Sequence, residues 1–399
     1  MALVIIEEAR VPGKGKSVDD GHPLFRLGFR PFYLLAASFA AISVPLWVAR
    51  YFGWAQALVN VDVNWHMHEM VFGFAIAVII GFVFTAGRNW TGLWTPRGGH
   101  LAALAGLWLA GRLAMLAAPP LLAAAVDVLF LPFAAWPIYT VLKKAGNKRN
   151  MFLVGLLSLM TVANILFHAA RLGWISVAPF TPIHAAILAV VMIESVIGGR
   201  VIPGFTTNAT GVRTVTDPKL DKICLTLTAL ACVAWIVRIL PPFSAALAVA
   251  AGCSQLLRLA GWKLPATLKN PLLWVLHVSY AWIPLGFFAL AAAALNLTPA
   301  STAFHILGVG AIAGLIIGMI TRTALGHTGR PLKAGRAELA MYVLIQIGVV
   351  ARFLAAVNAM GWRDHALVCA AVSWAAAFVL YVAIYGRYLA APRIDGREG

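Results

Sequence analysis

The sequence predicts an all-α integral membrane protein of twelve transmembrane helices, arranged as three pseudo-symmetric four-helix units. Three observations carry this expectation. First, 61% of the 399 residues are hydrophobic and only 11% are charged, whereas soluble domains run at ~45–50% apolar and ~25% charged. Second, apolar runs of the ~20-residue length that crosses a bilayer recur along the whole chain. Third, the 31 Lys and Arg residues gather in the short segments between those runs. This composition excludes a string of soluble domains, and the net charge of +17 follows membrane topology rather than a nucleic-acid-binding surface.

Taken in order, the runs are 31–52, 65–87, 100–118, 121–142, 151–171, 182–202, 221–240, 243–262, 271–295, 302–322, 337–358 and 364–388. Residues 1–30 hold Arg10, Lys14, Lys16, Arg26 and Arg30 and no apolar stretch of signal-peptide length. They are expected to form a cytoplasmic tail, followed by one transmembrane domain over 31–388 and a second cytoplasmic tail over 389–399. Pro31 opens the first run where a first-turn proline is tolerated. With both termini inside, only Arg50, Arg112, Arg171, Arg238, Arg352 and Arg363 lie at outer ends, and the other 25 basic residues lie at inner ends. That asymmetry is the positive-inside pattern. Cys224, Cys232, Cys253 and Cys369 fall in apolar runs without CxxC or CxxCH spacing. They are read as small buried hydrophobes, not as a disulfide framework, a zinc knuckle or a covalent haem attachment.

The units are expected at about 31–142, 151–262 and 271–388. Runs two, six and ten each begin with histidine (His66 and His68, His184, His305) and end with arginine (Arg88, Arg200, Arg322). Runs three, seven and eleven carry Arg112, Arg238 and Arg352 near the outer end. Each series recurs at roughly 120 residues, the length of four helices with their loops.

Topology also sorts the ten histidines. His22, His100 and His327 fall inside, whereas His66, His68, His168, His184, His305 and His365 share the outer depth. His277 lies ~9 Å into the ninth run at 1.5 Å per residue. Ionisable groups in a membrane are costly and point to function. Imidazoles gathered at one depth suit haem iron or copper, and Arg50, Arg112, Arg171, Arg238 and Arg352 supply guanidinium forks for haem propionates. Metal-ligand candidates are therefore His305, His68, His66, His184, His168 and His277. Because His66 and His68 at i and i+2 point ~200° apart, one ion cannot take both. Glu69 either orients an imidazole or sits in the headgroup layer. Glu194, ~15 Å further along its helix than His184, is the candidate proton donor, and Asp127 is a second relay candidate.

Three strings at inner helix ends, 87–92, 199–206 and 325–331, are rich in Gly, Pro and Arg. Physically they read as helix stops with snorkelling arginines, and none is a phosphate loop.

These strings also carry a resemblance. Phe29-Arg30-Pro31-Phe32-Tyr33, His66-Met67-His68-Glu69-Met70-Val71-Phe72-Gly73-Phe74, Asn89-Trp90-Thr91-Gly92, Gly199-Arg200-Val201-Ile202-Pro203 and Gly326-His327-Thr328-Gly329-Arg330-Pro331 resemble the NnrS family of bacterial membrane proteins, over nearly the whole chain. The resemblance implies a non-covalent b-type haem, with copper or a second non-haem metal beside it, in an inner-membrane protein linked to nitric oxide and nitrosative stress. A weaker architectural likeness joins the chain to the catalytic subunit of haem-copper oxidases and nitric oxide reductases, whose twelve helices also form three units. Here run seven lacks histidine, so that family's three-histidine copper site is not reproduced.

The resulting expectation is a haem-dependent oxidoreductase that reduces nitric oxide to nitrous oxide. In that scheme His305 is the first axial ligand, with His68 or His66 opposite it or on another haem, His184 serves a second metal and Glu194 supplies protons. Electrons would come from quinol or another external donor. The alternatives are a non-catalytic protein that senses or buffers haem, copper or nitric oxide, and a proton-coupled transporter using Glu194 and His277.

Overall fold

The computed structural model describes residues 21–358 and 361–397. Residues 1–20 of the expected N-terminal tail, with Arg10, Lys14 and Lys16, lie outside the described residues, as do 398–399. Among the described residues there is no strand. Twelve long helices follow one another: α1 (Phe29–Tyr51), α2 (Val63–Thr91), α3 (Gly98–Ala117), α4 (Pro120–Lys144), α5 (Met151–Arg171), α6 (Phe180–Thr210), α7 (Pro218–Ile236), α8 (Pro241–Ala260), α9 (Pro271–Ala294), α10 (Ala300–His327), α11 (Arg336–Val357) and α12 (Arg363–Ala390). Eleven are long and apolar enough to cross a membrane. The twelfth, α7, is 19 residues long and begins with Lys219, Asp221 and Lys222. The outward faces carry exposed Leu121, Phe133, Trp136, Leu257 and Val372, as lipid contact requires and water does not favour. The chain is a multi-pass membrane protein.

Helix ends follow local chemistry. Gly92 and Gly211 adopt left-handed conformations after α2 and α6, where a Cβ would be strained. The 87–92 and 325–331 strings do stop helices, as expected. The 199–206 string does not: α6 continues through Pro203 to Thr210. Proline removes a single backbone donor, and in a packed membrane bundle the freed carbonyl is tolerated. The Phe29-Arg30-Pro31 string has a closing role. Buried Arg30 donates from Nη1 to the carbonyls of Leu389 and Ala391, both at 2.7 Å, tying the start of α1 to the end of α12.

Sequential helices pack as neighbours, and α1 packs against α12. Inside lie α2, α6 and α10, which touch one another. Two of these three are not α-helical throughout. In α2 the segment Glu69–Ala75 is a π-helix, and in α10 the segment Ile306–Ala313 is another. Such segments are rare and concentrate at functional sites. Each begins directly after a histidine, His68 and His305. Asp62 caps α2 through the Trp65 amide at 2.7 Å and also receives Arg171 of α5 at 3.2 Å. The end of the bundle where α1 finishes and α2 begins is called the histidine end below.

Candidate metal centre at the histidine end

His66 and His68 diverge as their two-residue spacing demands. The His66 ring lies against Trp47, with centroids 5.3 Å apart and planes at 11°. On another side it meets His305 of α10, at 6.3 Å and 18°. The Nδ1 of His305 is 2.6 Å from the Ser301 carbonyl oxygen, so Nδ1–H donates and Nε2 is left as the lone-pair nitrogen. The Nδ1 of His66 is buried with no hydrogen-bond partner among the described residues. A buried polar atom left in that condition calls for an explanation. Arg352 acts electrostatically on both imidazoles.

This donor set fits a metal. An imidazole nitrogen lies ~1.1 Å from its ring centre and bonds a metal at ~2.0–2.1 Å, so two imidazoles in line on one ion have centres ~6.3 Å apart. The His66 and His305 centroids are 6.3 Å apart with their planes at 18°, a separation compatible with one ion between the rings. A backbone carbonyl on the far nitrogen, as at His305, is the usual orienting contact of a metal-bound histidine.

His68 enters a different environment on the other side of α2. Its Nδ1 is 2.9 Å from Glu69 Oε1. Its Nε2 is 2.9 Å from Asn164 Oδ1 and 3.1 Å from Asp127 Oδ2. His168 Nε2 donates to the same Asp127 oxygen at 3.0 Å, and Asn164 Nδ2 does so at 2.8 Å. Arg112 donates to Glu69 Oε2 at 2.7 Å and to Asp127 Oδ1. All six side chains are buried. Both nitrogens of His68 face acceptors, so both donate, and the array sets two positive charges against two negative ones. Neutrality of this kind is what a water-poor interior demands of buried charges. Helices α2, α3, α4 and α5 each contribute. Trp108 Nε1 donates to the Gly73 carbonyl at 3.0 Å, fixing α3 against the π segment.

The remaining expected residues are dispersed. His184 stacks on Phe304, with centroids 3.6 Å apart, and its Nδ1 accepts from Trp235 Nε1 at 3.4 Å. His277 sits toward the opposite end, held by the Leu273 and Trp262 carbonyls and by Thr206. It does not join the histidine layer. Of the five arginines, Arg112 and Arg171 are paired with carboxylates, Arg50 donates to the Leu58 carbonyl, and Arg238 is exposed. Arg352 is the one beside the His66–His305 pair. Glu194 Oε2 is buried and has no hydrogen-bond partner among the described residues.

Asn164 was not anticipated from the sequence. The available signal was its position four residues before His168, on the same helical face. A second unanticipated network joins α6, α7, α8 and α9. There Arg258 donates to the Ser195 carbonyl at 2.6 Å and to Tyr280 Oη at 3.0 Å, while Gln255 bridges Ser195 and Thr228. A Cβ on Gly199 would collide with the Arg258 guanidinium, which gives the Gly199-Arg200 string a packing role.

A family model described as NnrS protein matches residues 23–393, nearly the whole chain. No curated protein matches it.

Proposed function

The chain belongs to the NnrS family, and on that premise we propose that it is a haem-dependent inner-membrane protein acting on nitric oxide. The reaction we favour is reduction to nitrous oxide: two nitric oxide molecules take two electrons and two protons and give nitrous oxide and water. The observation that carries this reading is the His66–His305 pair, with its spacing, its unpartnered His66 Nδ1 and its oriented His305 ring. These two histidines would hold the haem, and Arg352 would receive a propionate. Haem iron bound there supplies the redox centre and the affinity for nitric oxide.

The chain's own residues do the rest. Trp47 walls one side of the pair and excludes water. Glu194, unpartnered in the inner helix α6, holds and delivers protons, a role that suits a carboxyl without a fixed partner. Electrons enter from quinol or another external donor. The three inner helices α2, α6 and α10, one from each expected four-helix unit, touch one another as a pseudo-symmetric arrangement requires, and the pair lies between α2 and α10. Positive-inside asymmetry puts the histidine end outside and both termini in the cytoplasm.

The test is metal analysis with reduced-minus-oxidised spectra of the purified protein, before and after nitric oxide. A Soret band that shifts with nitric oxide and is lost in His305→Ala and His66→Ala is expected. Well-folded protein without haem, or a His305→Ala spectrum like the wild type, overturns the assignment. Glu194→Gln is expected to lower turnover while leaving the spectrum intact, and unchanged turnover ends its proton role.

A further inference from the structure

We propose that His68, Asp127 and His168 form a second metal site, separate from the His66–His305 pair, for one divalent first-row transition-metal ion. The donor atoms are His68 Nε2, Asp127 Oδ2 and His168 Nε2, which lie within 4.8 Å of one another. Both imidazole nitrogens approach the same carboxylate oxygen, at 3.1 and 3.0 Å. Adjacent donors on a six-coordinate ion with ~2.1 Å bonds are ~3.0 Å apart, the spacing of a two-histidine, one-carboxylate triad with open positions. Asn164 Oδ1, 2.9 Å from His68 Nε2, stands ready as a fourth donor and the second oxygen. Sulfur is absent from the set, which favours Fe(II), Co(II) or Zn(II) over soft monovalent ions.

The far sides of the ligands are already arranged for this task. Glu69 Oε1 accepts a hydrogen bond from His68 Nδ1–H at 2.9 Å, the carboxylate–histidine–metal contact that fixes ring orientation and raises basicity. Arg112 engages Asp127 through Oδ1 and Glu69 through Oε2, the oxygens that face away from the imidazoles. Asp127 Oδ2 is thereby left as the point where two imidazoles and an amide converge. The ion takes the place of the His68 Nε2 proton, which is released, while His168 carries its proton on Nδ1 and turns the Nε2 lone pair to the metal. The dication with Arg112 against two carboxylates then leaves one positive charge, which a hydroxide or anionic ligand in an open position would balance.

The experiment uses the full-length protein in detergent, stripped with chelator and titrated with Co(II). The expected result is one Co(II) per chain with ligand-field absorption. His168→Ala and Asp127→Asn should weaken binding at least about 100-fold, and Glu69→Gln about 10–100-fold. His66→Ala and His305→Ala should leave it unchanged. Because Asp127→Asn strips a charge from the core, His168→Ala decides the matter if that variant fails to fold. Absence of Co(II) binding by the wild type, wild-type affinity in His168→Ala, or loss of binding in His66→Ala overturns the proposal. Co(II) uptake needs neither haem nor nitric oxide, so the proposed function and this site fail separately.

Discussion

His66 and His68 stand two residues apart on one helix and meet opposite fates. His68 has both nitrogens bonded inside a six-residue ionic array. His66 has a buried nitrogen with no partner and aromatic rings on its faces. The first region is held together by its own charges. The second lies between two inner helices with no carboxylate partner among the described residues. A spacing of two residues places side chains on opposite faces of a helix, so a single string, His66 to Glu69, can serve a structural charge cluster and an open pair at once. The π segments that begin directly after His68 and His305 put the irregular backbone next to both regions.

The largest expected effect breaks the closed region. Asp127→Ala leaves Arg112 and His68 with one carboxylate, Glu69, between them, and removing one partner of a buried ion network costs about 3–5 kcal/mol. His66→Ala severs no hydrogen bond at Nδ1 and should cost about 1 kcal/mol or less. Unfolding of both variants in detergent, compared without added metal or haem, checks the contrast. Equal losses would erase the distinction between a cluster that holds the fold and a pair that waits for a ligand.

A smaller effect sharpens the same comparison from the backbone side. A Cβ added to Gly73 would lie 2.6 Å from Phe39 Cε1, 2.8 Å from Glu69 Oε2 and 3.0 Å from Arg112 Nη1. Two of these three atoms belong to the charge cluster, so Gly73→Ala should cost about 1–3 kcal/mol by overpacking. It should also weaken Co(II) binding at the His68 site without altering the haem spectrum. A spectral change at the His66–His305 pair instead would mean that the two regions are mechanically one.

What could be read from the sequence divides along the same line. Long apolar runs reported most helix ends to within about five residues, because bilayer thickness fixes their length, whereas α6 runs on to Thr210, past the expected end at 202. The depth of His66, His68, His168 and His305 was legible from counting along the runs. Lateral pairing was not. Arg112 and Arg171 share a depth with Arg352, yet carboxylates claim the first two while Arg352 stands by the pair. His277 looked available by composition, but backbone carbonyls and Thr206 take it. Partners separated by 15 to 96 positions, such as Arg112–Asp127 and His68–Asn164, leave no local periodic trace. The π segments have none either, since their departure from 3.6 residues per turn is set by packing.

The smallest expected effect concerns His184, the third histidine of the inner helices. Its ring stacks on Phe304 at 3.6 Å and 7°, and its Nδ1 accepts the Trp235 indole proton. A nitrogen that accepts a hydrogen bond has given its lone pair away, and no carboxylate backs the other nitrogen in the manner of Glu69 at His68. In this arrangement His184 packs as an aromatic wall against Phe304. His184→Phe keeps the stack and loses one 3.4 Å contact, so it should cost about 1 kcal/mol and leave haem content and Co(II) stoichiometry at wild-type values. Metal analysis of that variant checks the point. Loss of one metal per chain would return His184 to the ligand set and move the second metal from the α2–α5 cluster to the α6–α10 contact.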